Sequence, residues 1–353
     1  MLGSPAGLMF DGFAMNTGFD PVTLTDNTAD LIAWYDFTDP STVYRDNSGI
    51  NNIAANESIG RINNKVQSTL ALGKFLRCMH PSVGPGDDGN SIAPTFKLNG
   101  TNGYSYASFD SSAFGSSGQC LVGSDHYDLD GVGADIGHGG GVGNGVNEYI
   151  NGYYNEFSSN GASSPNNNIF SSSSIKNDDL TIFWVVKPST ADPTGTGDHC
   201  HWLIRPDDSS DSGTGRANET YFEGFTRASG DHFMARVNSE DQGVSGITYT
   251  TSTDLDVTDS VNVFMARFNS GSNGFILFQN GANIASGTIT SSSTYSMQSG
   301  MMALGRWSIG NVNSGHVANS AFDGQFYEII VYNKAISDAE LVTANLALIS
   351  KYN

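Results

Sequence analysis

The last three dozen residues place the tightest limit on what this chain can fold into. Residues 326 to 332 read Phe-Tyr-Glu-Ile-Ile-Val-Tyr, a strand, and Asn333 turns the chain. Ser337 then caps a helix in which Glu340 completes a Ser-x-x-Glu capping box. That helix offers Leu341, Val342, Leu346, Leu348, Ile349 and Tyr352 for burial. The rest of the chain reads as strands and turns. Of 353 residues 42 are Gly, Ser, Thr and Asn are abundant, and only 15% are charged. This composition suits many short strands joined by tight turns, and the length permits one large all-β domain with insertions.

Further segments line up ahead of the C-terminal pattern. Leu31 to Ser41 forms an opening strand and turn, followed by the polar turn Asp46 to Gly49. Ala93 to Gly103 with Phe109 and Asp110 makes a second landmark. Leu180 to Pro188 reads as a central strand, apolar on both faces; Gly274 to Ser286 as a hairpin around Asn280-Gly281; and Met302 to Arg306 as the strand before the closing signature. Phe233 to Ser239 and Phe264 to Ser270 nearly repeat each other and read as two similar sheet strands. In this order, the segments resemble the concanavalin A-like lectin/glucanase superfamily in its laminin-G-like form. The resemblance implies an all-β jelly-roll sandwich of two antiparallel sheets with an N-terminal arm, a long loop insertion and a short C-terminal helix. It names a fold, and a fold leaves function open.

Charge and cysteine content narrow the function classes. With 36 acidic and 16 basic residues the formal charge is −20, and no Lys or Arg precedes Arg45. Clustered cations for phosphate neutralisation are missing, so nucleic acid is not an expected partner. Residues 1 to 30 lack the basic n-region and unbroken apolar stretch of a secretory signal, and no apolar run reaches the length of a membrane span. Cys78, Cys120 and Cys200 are too few for a disulfide framework. Synthesis in a reducing cytoplasm is the expectation.

Two stretches stand apart from the strand pattern. Residues 1 to 30 read as an arm ahead of a sandwich that runs from 31 to 353. Leu8, Met9, Phe10, Phe13 and Met15 give it apolar groups without a period of 2 or 3.6. Such an arm docks on a neighbouring subunit or on its own domain. Residues 111 to 174 read as an insertion with a Gly-rich run, an acidic segment and an aromatic patch. Within it Asp125, Asp128, Asp130 and Asp135 near Gly131 are the oxygen donors a calcium ion would require, although they miss the EF-hand pattern; a solvated acidic loop is the competing reading. Tyr149, Tyr153 and Tyr154 with Asn147 and Asn151 offer rings and amides for glycan binding, or simply pin the loop to the sheet.

Two other constellations read as structural. In Asp198-His-Cys-His201 a regular strand sends His199 and His201 to one face and Cys200 to the other, which gives at most two of three ligands to one metal. Glu219 and Glu223 are a spaced acidic pair, but the superfamily's glucanases carry an Asp between two Glu residues, and Tyr221 stands there. Retaining hydrolysis needs carboxyls about 5 Å apart, whereas four strand residues span roughly 13 Å. No catalytic residues are therefore assigned, and the chain reads as a non-enzyme.

The start of the chain, the absent leader, the acidic composition and the laminin-G-like body also resemble virion structural proteins of tailed phages. That resemblance implies a capsid decoration or head- or tail-fibre protein, made in the host cytoplasm and exposed on the particle exterior. The implied partners are major capsid or tail proteins, sister subunits in a homo-oligomer such as a trimer, and host-surface glycans, with no membrane insertion. The alternatives are a polysaccharide-degrading glucanase or depolymerase and a bacterial surface lectin or adhesin.

Overall fold

The computed structural model describes residues 19–45, 50–66, 75–78, 94–100, 102–110, 121–123, 179–189, 198–206, 220–227, 232–239, 247–250, 260–269, 274–288, 300–305 and 322–352. Its strands are β1 (Leu31–Asp36), β2 (Val43–Tyr44), β3 (Arg61–Asn63), β4 (Phe75–Cys78), β5 (Thr95–Lys97), β6 (Tyr106–Phe109), β7 (Leu121–Gly123), β8 (Leu180–Pro188) and β9 (Asp198–Pro206). They continue as β10 (Thr220–Arg227), β11 (His232–Ser239), β12 (Ile247–Thr250), β13 (Asn262–Asn269), β14 (Gly274–Gln279), β15 (Ala282–Thr288), β16 (Gly300–Leu304) and β17 (Gly324–Tyr332). One α-helix, α1 (Asp338–Tyr352), closes the described chain.

The strands form two antiparallel sheets. The first has the order β15-β14-β13-β8-β17-β6-β5, with β1 on the same edge of β17 as β6. The second runs β12-β11-β10-β9-β16-β7-β4-β3-β2. Their facing side chains make one core: Ile182, Trp184, Phe264, Phe326 and Ile329 from the first sheet meet Ile62, Leu76, Trp202 and Leu304 from the second. All-antiparallel pairing over a shared core gives the expected sandwich. β7 pairs with β4 and β16, so the scaffold passes through the stretch read as an insertion. The hairpin β14–β15 turns at Asn280 and Gly281, both at positive φ (48° and 82°), as a two-residue Asn-Gly turn requires.

A second apolar layer lies on the outside of the first sheet. Phe183, Val185, Val263, Met265, Ile330 and Tyr332 are roofed by Leu341, Ala344, Leu348 and Tyr352 of α1. Glu340 caps α1 as expected: its backbone N–H donates to Ser337 Oγ at 3.3 Å, and its carboxylate accepts from the Ser337 N–H. The buried stripe differs from the expected one. Val342 and Leu346 point outward, 52% and 62% exposed, while Asn345 is buried. The helix axis is set by Leu341, Leu348 and Tyr352 at steps of seven and four, which turns positions 342 and 346 to solvent.

The chain joins this layer from its other end. Phe19, Val22 and Leu24 pack on the same outer cluster, and Tyr332 donates its hydroxyl to Pro21 O at 2.8 Å. Asn333 N–H donates to Asp30 O at 2.8 Å. Within the stretch read as an arm, residues 19–30 therefore dock on their own domain. Leu8, Met9, Phe10, Phe13 and Met15 lie outside the described residues.

Candidate functional site

Three irregularities in strand pairing decide what faces what. In β17 the pairing with β8 steps from Phe326 to Glu328, so Phe326 and Ile329 face the core while Tyr327 and Glu328 both face outward. A similar step in β1 between Leu31 and Ala33 leaves Trp34 and Asp36 on that outer side. A bulge adds one residue and re-aims its neighbours. In β9 the step between Trp202 and Cys200 makes His201 the extra residue, and both His201 and Trp202 are buried.

That third bulge settles His201. Its Nδ1 accepts from Trp184 Nε1 at 3.3 Å, and its ring packs edge-on against Phe322 at 4.8 Å. An accepting Nδ1 belongs to a neutral imidazole. The bulge puts His201 and Trp202 together in the core, breaking alternation between those two, while the side chains of His199 and Cys200 lie outside the described residues. Among the described residues no group of three His, Cys, Asp or Glu is placed to hold a metal ion.

Outside the first sheet a carboxylate pair sits beneath the end of α1. Asp36 and Glu328 are direct partners across β1 and β17. Opposed strand residues hold their Cβ atoms about 5 Å apart, close to the separation used by retaining glycosidases. Both are nevertheless enclosed, at 4% and 1% exposure. Glu328 Oε1 accepts from Trp34 Nε1 at 2.7 Å, and Oε2 accepts from Lys351 Nζ at 2.8 Å and Tyr352 OH at 2.7 Å. Asp36 accepts from Thr38 and from Lys65, which also bridges to Asp39 at 3.1 Å and lies 4.2 Å over the Trp34 ring. Burial and then the Asp36 charge raise the Glu328 pKa, against the pull of Lys351 and Tyr352. Burial would raise Asp39, but hydrogen bonds from Ser41 and Lys65 outweigh it and lower its pKa. For Lys65 burial acts downward and the two aspartates prevail, raising its pKa. With every oxygen of Glu328 committed inside the fold, this pair locks α1 to the sheet and cannot reach a substrate.

Beside the lock the same face opens into an aromatic ledge. Tyr104, Tyr352, Tyr327 and Tyr106 form a continuous row, with ring centroids 5.1, 5.4 and 5.5 Å apart in turn. Tyr327 and Tyr352 are buried, whereas Tyr104 and Tyr106 at the ends of the row are half-buried. Tyr327 donates to Gln325 Oε1 at 2.6 Å. Burial and then the neighbouring Tyr106 push the Tyr327 pKa up to about 12, with Asn102 opposing. Register extends the face across three strands: Ser108 on β6, Gln325 on β17 and Lys187 on β8 lie in one row. Gly100 fits this turn closely, since a Cβ there would stand 2.8 Å from the Tyr106 ring.

Sequence reasoning missed the ledge, although its signal was present. Residues 104 to 109 read Tyr-Ser-Tyr-Ala-Ser-Phe, and period-two alternation puts Tyr104, Tyr106 and Ser108 on one face. The candidate glycan residues Tyr149, Tyr153, Tyr154, Asn147 and Asn151 lie outside the described residues, as do Asp125, Asp128, Asp130 and Asp135. Glu219 also lies outside them, while Glu223 falls within β10, in register with Arg236 of β11.

Two stacked antiparallel sheets closed by one C-terminal helix define a concanavalin A-like jelly-roll sandwich. The chain is similar in structure to the CBM40 module of a Ruminococcus gnavus IT-sialidase bound to α2,3-sialyllactose. There the TM-score is 0.36 at 17% identity, over 49% of this chain and 83% of that one. A heptameric SAP-like pentraxin from Limulus polyphemus gives 0.35 at 10% identity, over 49% and 71%. The NanB sialidase of Streptococcus pneumoniae gives 0.35 at 19% identity, over 48% and 24%. No protein-family model matches the sequence, and no curated protein matches it.

Proposed function

We propose that this chain is a non-enzymatic, lectin-like structural protein of a phage virion, of capsid decoration or fibre type, whose sandwich binds glycans on the particle exterior. The open aromatic ledge carries the binding part of this reading. Half-buried Tyr rings beside amide and hydroxyl groups offer both the apolar contact and the hydrogen bonds that a sugar requires. The enclosure of Asp36 and Glu328 supports a role in binding rather than cleavage. The virion setting rests on the sequence resemblance alone: an acidic chain whose first segment mixes Gly with Leu, Met and Phe. In this reading residues 1–18 hold the domain to capsid or tail proteins and to sister subunits, because residues 19–30 are already engaged on the sandwich.

Two measurements test it. Binding to a glycan array without release of reducing sugar supports a lectin; sugar release would return the depolymerase reading to the front. Deleting residues 2–18 should leave a folded domain that fails to enter particles. Normal incorporation, measured by quantitative mass spectrometry of purified virions, would overturn the anchoring role.

A further inference from the structure

We infer that the outer face of the first sheet holds a subsite for an acidic pyranose, a sugar ring bearing a carboxylate, centred on Tyr106, Ser108, Gln325 and Lys187; this rests on the glycan-binding reading above. Lys187 is half-buried and, among the described residues, has no hydrogen-bond or ion-pair partner, in a chain with 36 acidic against 16 basic residues. Its neighbours in the row keep hydrogen-bonding groups unused among the described residues. Gln325 uses only its Oε1, for Tyr327, leaving the Nε2 donor available, and the Ser108 and Tyr106 hydroxyls have no protein partner among the described residues. The other two lysines near the ledge are committed, Lys351 to Glu328 and Lys97 to Asn56 Oδ1 at 2.9 Å.

The chemistry of the row selects the ligand. Ser108, Gln325 and Lys187 occupy adjacent strands, so the row is about 10 Å across, with Tyr106 two residues from Ser108 on the same face. An apolar protein surface laid here would bury an ammonium, an amide and two hydroxyls without partners, which is unfavourable. A neutral sugar would satisfy the amide and hydroxyls but leave Lys187 unpaired. A pyranose with a carboxylate can satisfy the whole set: C–H groups on the Tyr106 face, hydroxyls to Gln325 Nε2 and Ser108 Oγ, and the carboxylate to Lys187.

The test uses the full chain on an array of uronate- and sialate-terminated glycans and their neutral counterparts, followed by titration with the best binder in free form. Wild type should prefer the acidic members. Lys187→Met should remove that preference, weakening acidic ligands by about tenfold or more while leaving neutral ones unchanged. Gln325→Glu keeps the acceptor that Tyr327 needs and deletes the Nε2 donor, and should weaken binding as well. Tyr106→Phe keeps the ring and should retain most of the affinity that Tyr106→Ala loses, with thermal unfolding confirming that each variant is folded. Wild-type preference for neutral glycans, or glycan binding that all these variants leave unchanged, would overturn the subsite. Absence of binding to any array member would overturn the glycan-binding reading itself.

Discussion

Lys351, in the last turn of α1, donates its ammonium to Glu328 Oε2 at 2.8 Å, joining the helix to β17, an interior strand of the first sheet. Lys351 is 20% exposed and Glu328 2% at the side chain, so the lost partner leaves a buried carboxylate. Lys351→Met should lower stability by about 2 kcal/mol at neutral pH, less than a fully buried pair because Trp34 and Tyr352 still donate. The pH dependence has a defined sign. A folded carboxyl with a raised pKa binds its proton more tightly than the unfolded chain does. Its contribution is complete below the unfolded value and is lost as pH rises through the folded one. Without Lys351 the carboxyl is pushed up further, so the deficit of Lys351→Met should shrink as pH falls from neutral toward the unfolded carboxyl value, as read by thermal melts of variant and wild type.

The helix start behaves in the opposite sense. Burial acts upward on Glu340, but the Ser337 hydrogen bonds and then Lys334 prevail and lower its pKa. The capping contribution is present above the unfolded carboxyl value and disappears as pH falls through the folded one. Ser337→Ala should reduce stability by about 1 kcal/mol at pH 7. Glu340→Gln should melt below wild type at pH 7, with the gap closing as pH falls below the ordinary carboxyl range; a constant gap would refute the assignment.

Tyr35 sits in the sandwich core, wholly buried, and its hydroxyl has no hydrogen-bond partner among the described residues. Burial drives its pKa upward, with Arg61 opposing. Removing an unsatisfied buried hydroxyl while keeping the ring should help, so Tyr35→Phe is expected to stabilise the domain by about 1 kcal/mol. A lower melting temperature would show that the hydroxyl is engaged.

Gly324 opens β17 at φ +144°, wedged between β6 and β8. A Cβ there would stand 2.4 Å from Lys187 O and 2.9 Å from Pro188 Cα. Both are backbone atoms and cannot swing aside. Gly324→Ala should destabilise by roughly 2–4 kcal/mol and, by shifting β17 against β8, also disturb the row of Gln325 and Lys187. Chemical denaturation would check the first effect, and glycan titration the second.

Elements with a local cause were legible in the order of the amino acids. Asn280-Gly281 dictates a tight turn because both residues tolerate positive φ, Ser337 and Glu340 start a helix because their side chains reach their own backbone, and residues 180 to 188 read as a central strand because both faces are apolar. The strand order across each sheet, and everything that depends on it, arises only when distant segments pair. A bulge is a property of pairing rather than of one segment, so nothing in residues 326 to 328 alone announces that Tyr327 and Glu328 share a face, or in residues 200 to 202 that His201 turns inward. Val342 and Leu346 carry the same chemistry as Leu341 and Leu348, and only the seat of α1 on the sheet separates exposed from buried. The row of Ser108, Gln325 and Lys187 joins positions far apart in the chain, each ordinary in its own segment. It exists because β17, one of the last strands along the chain, inserts between β6 and β8.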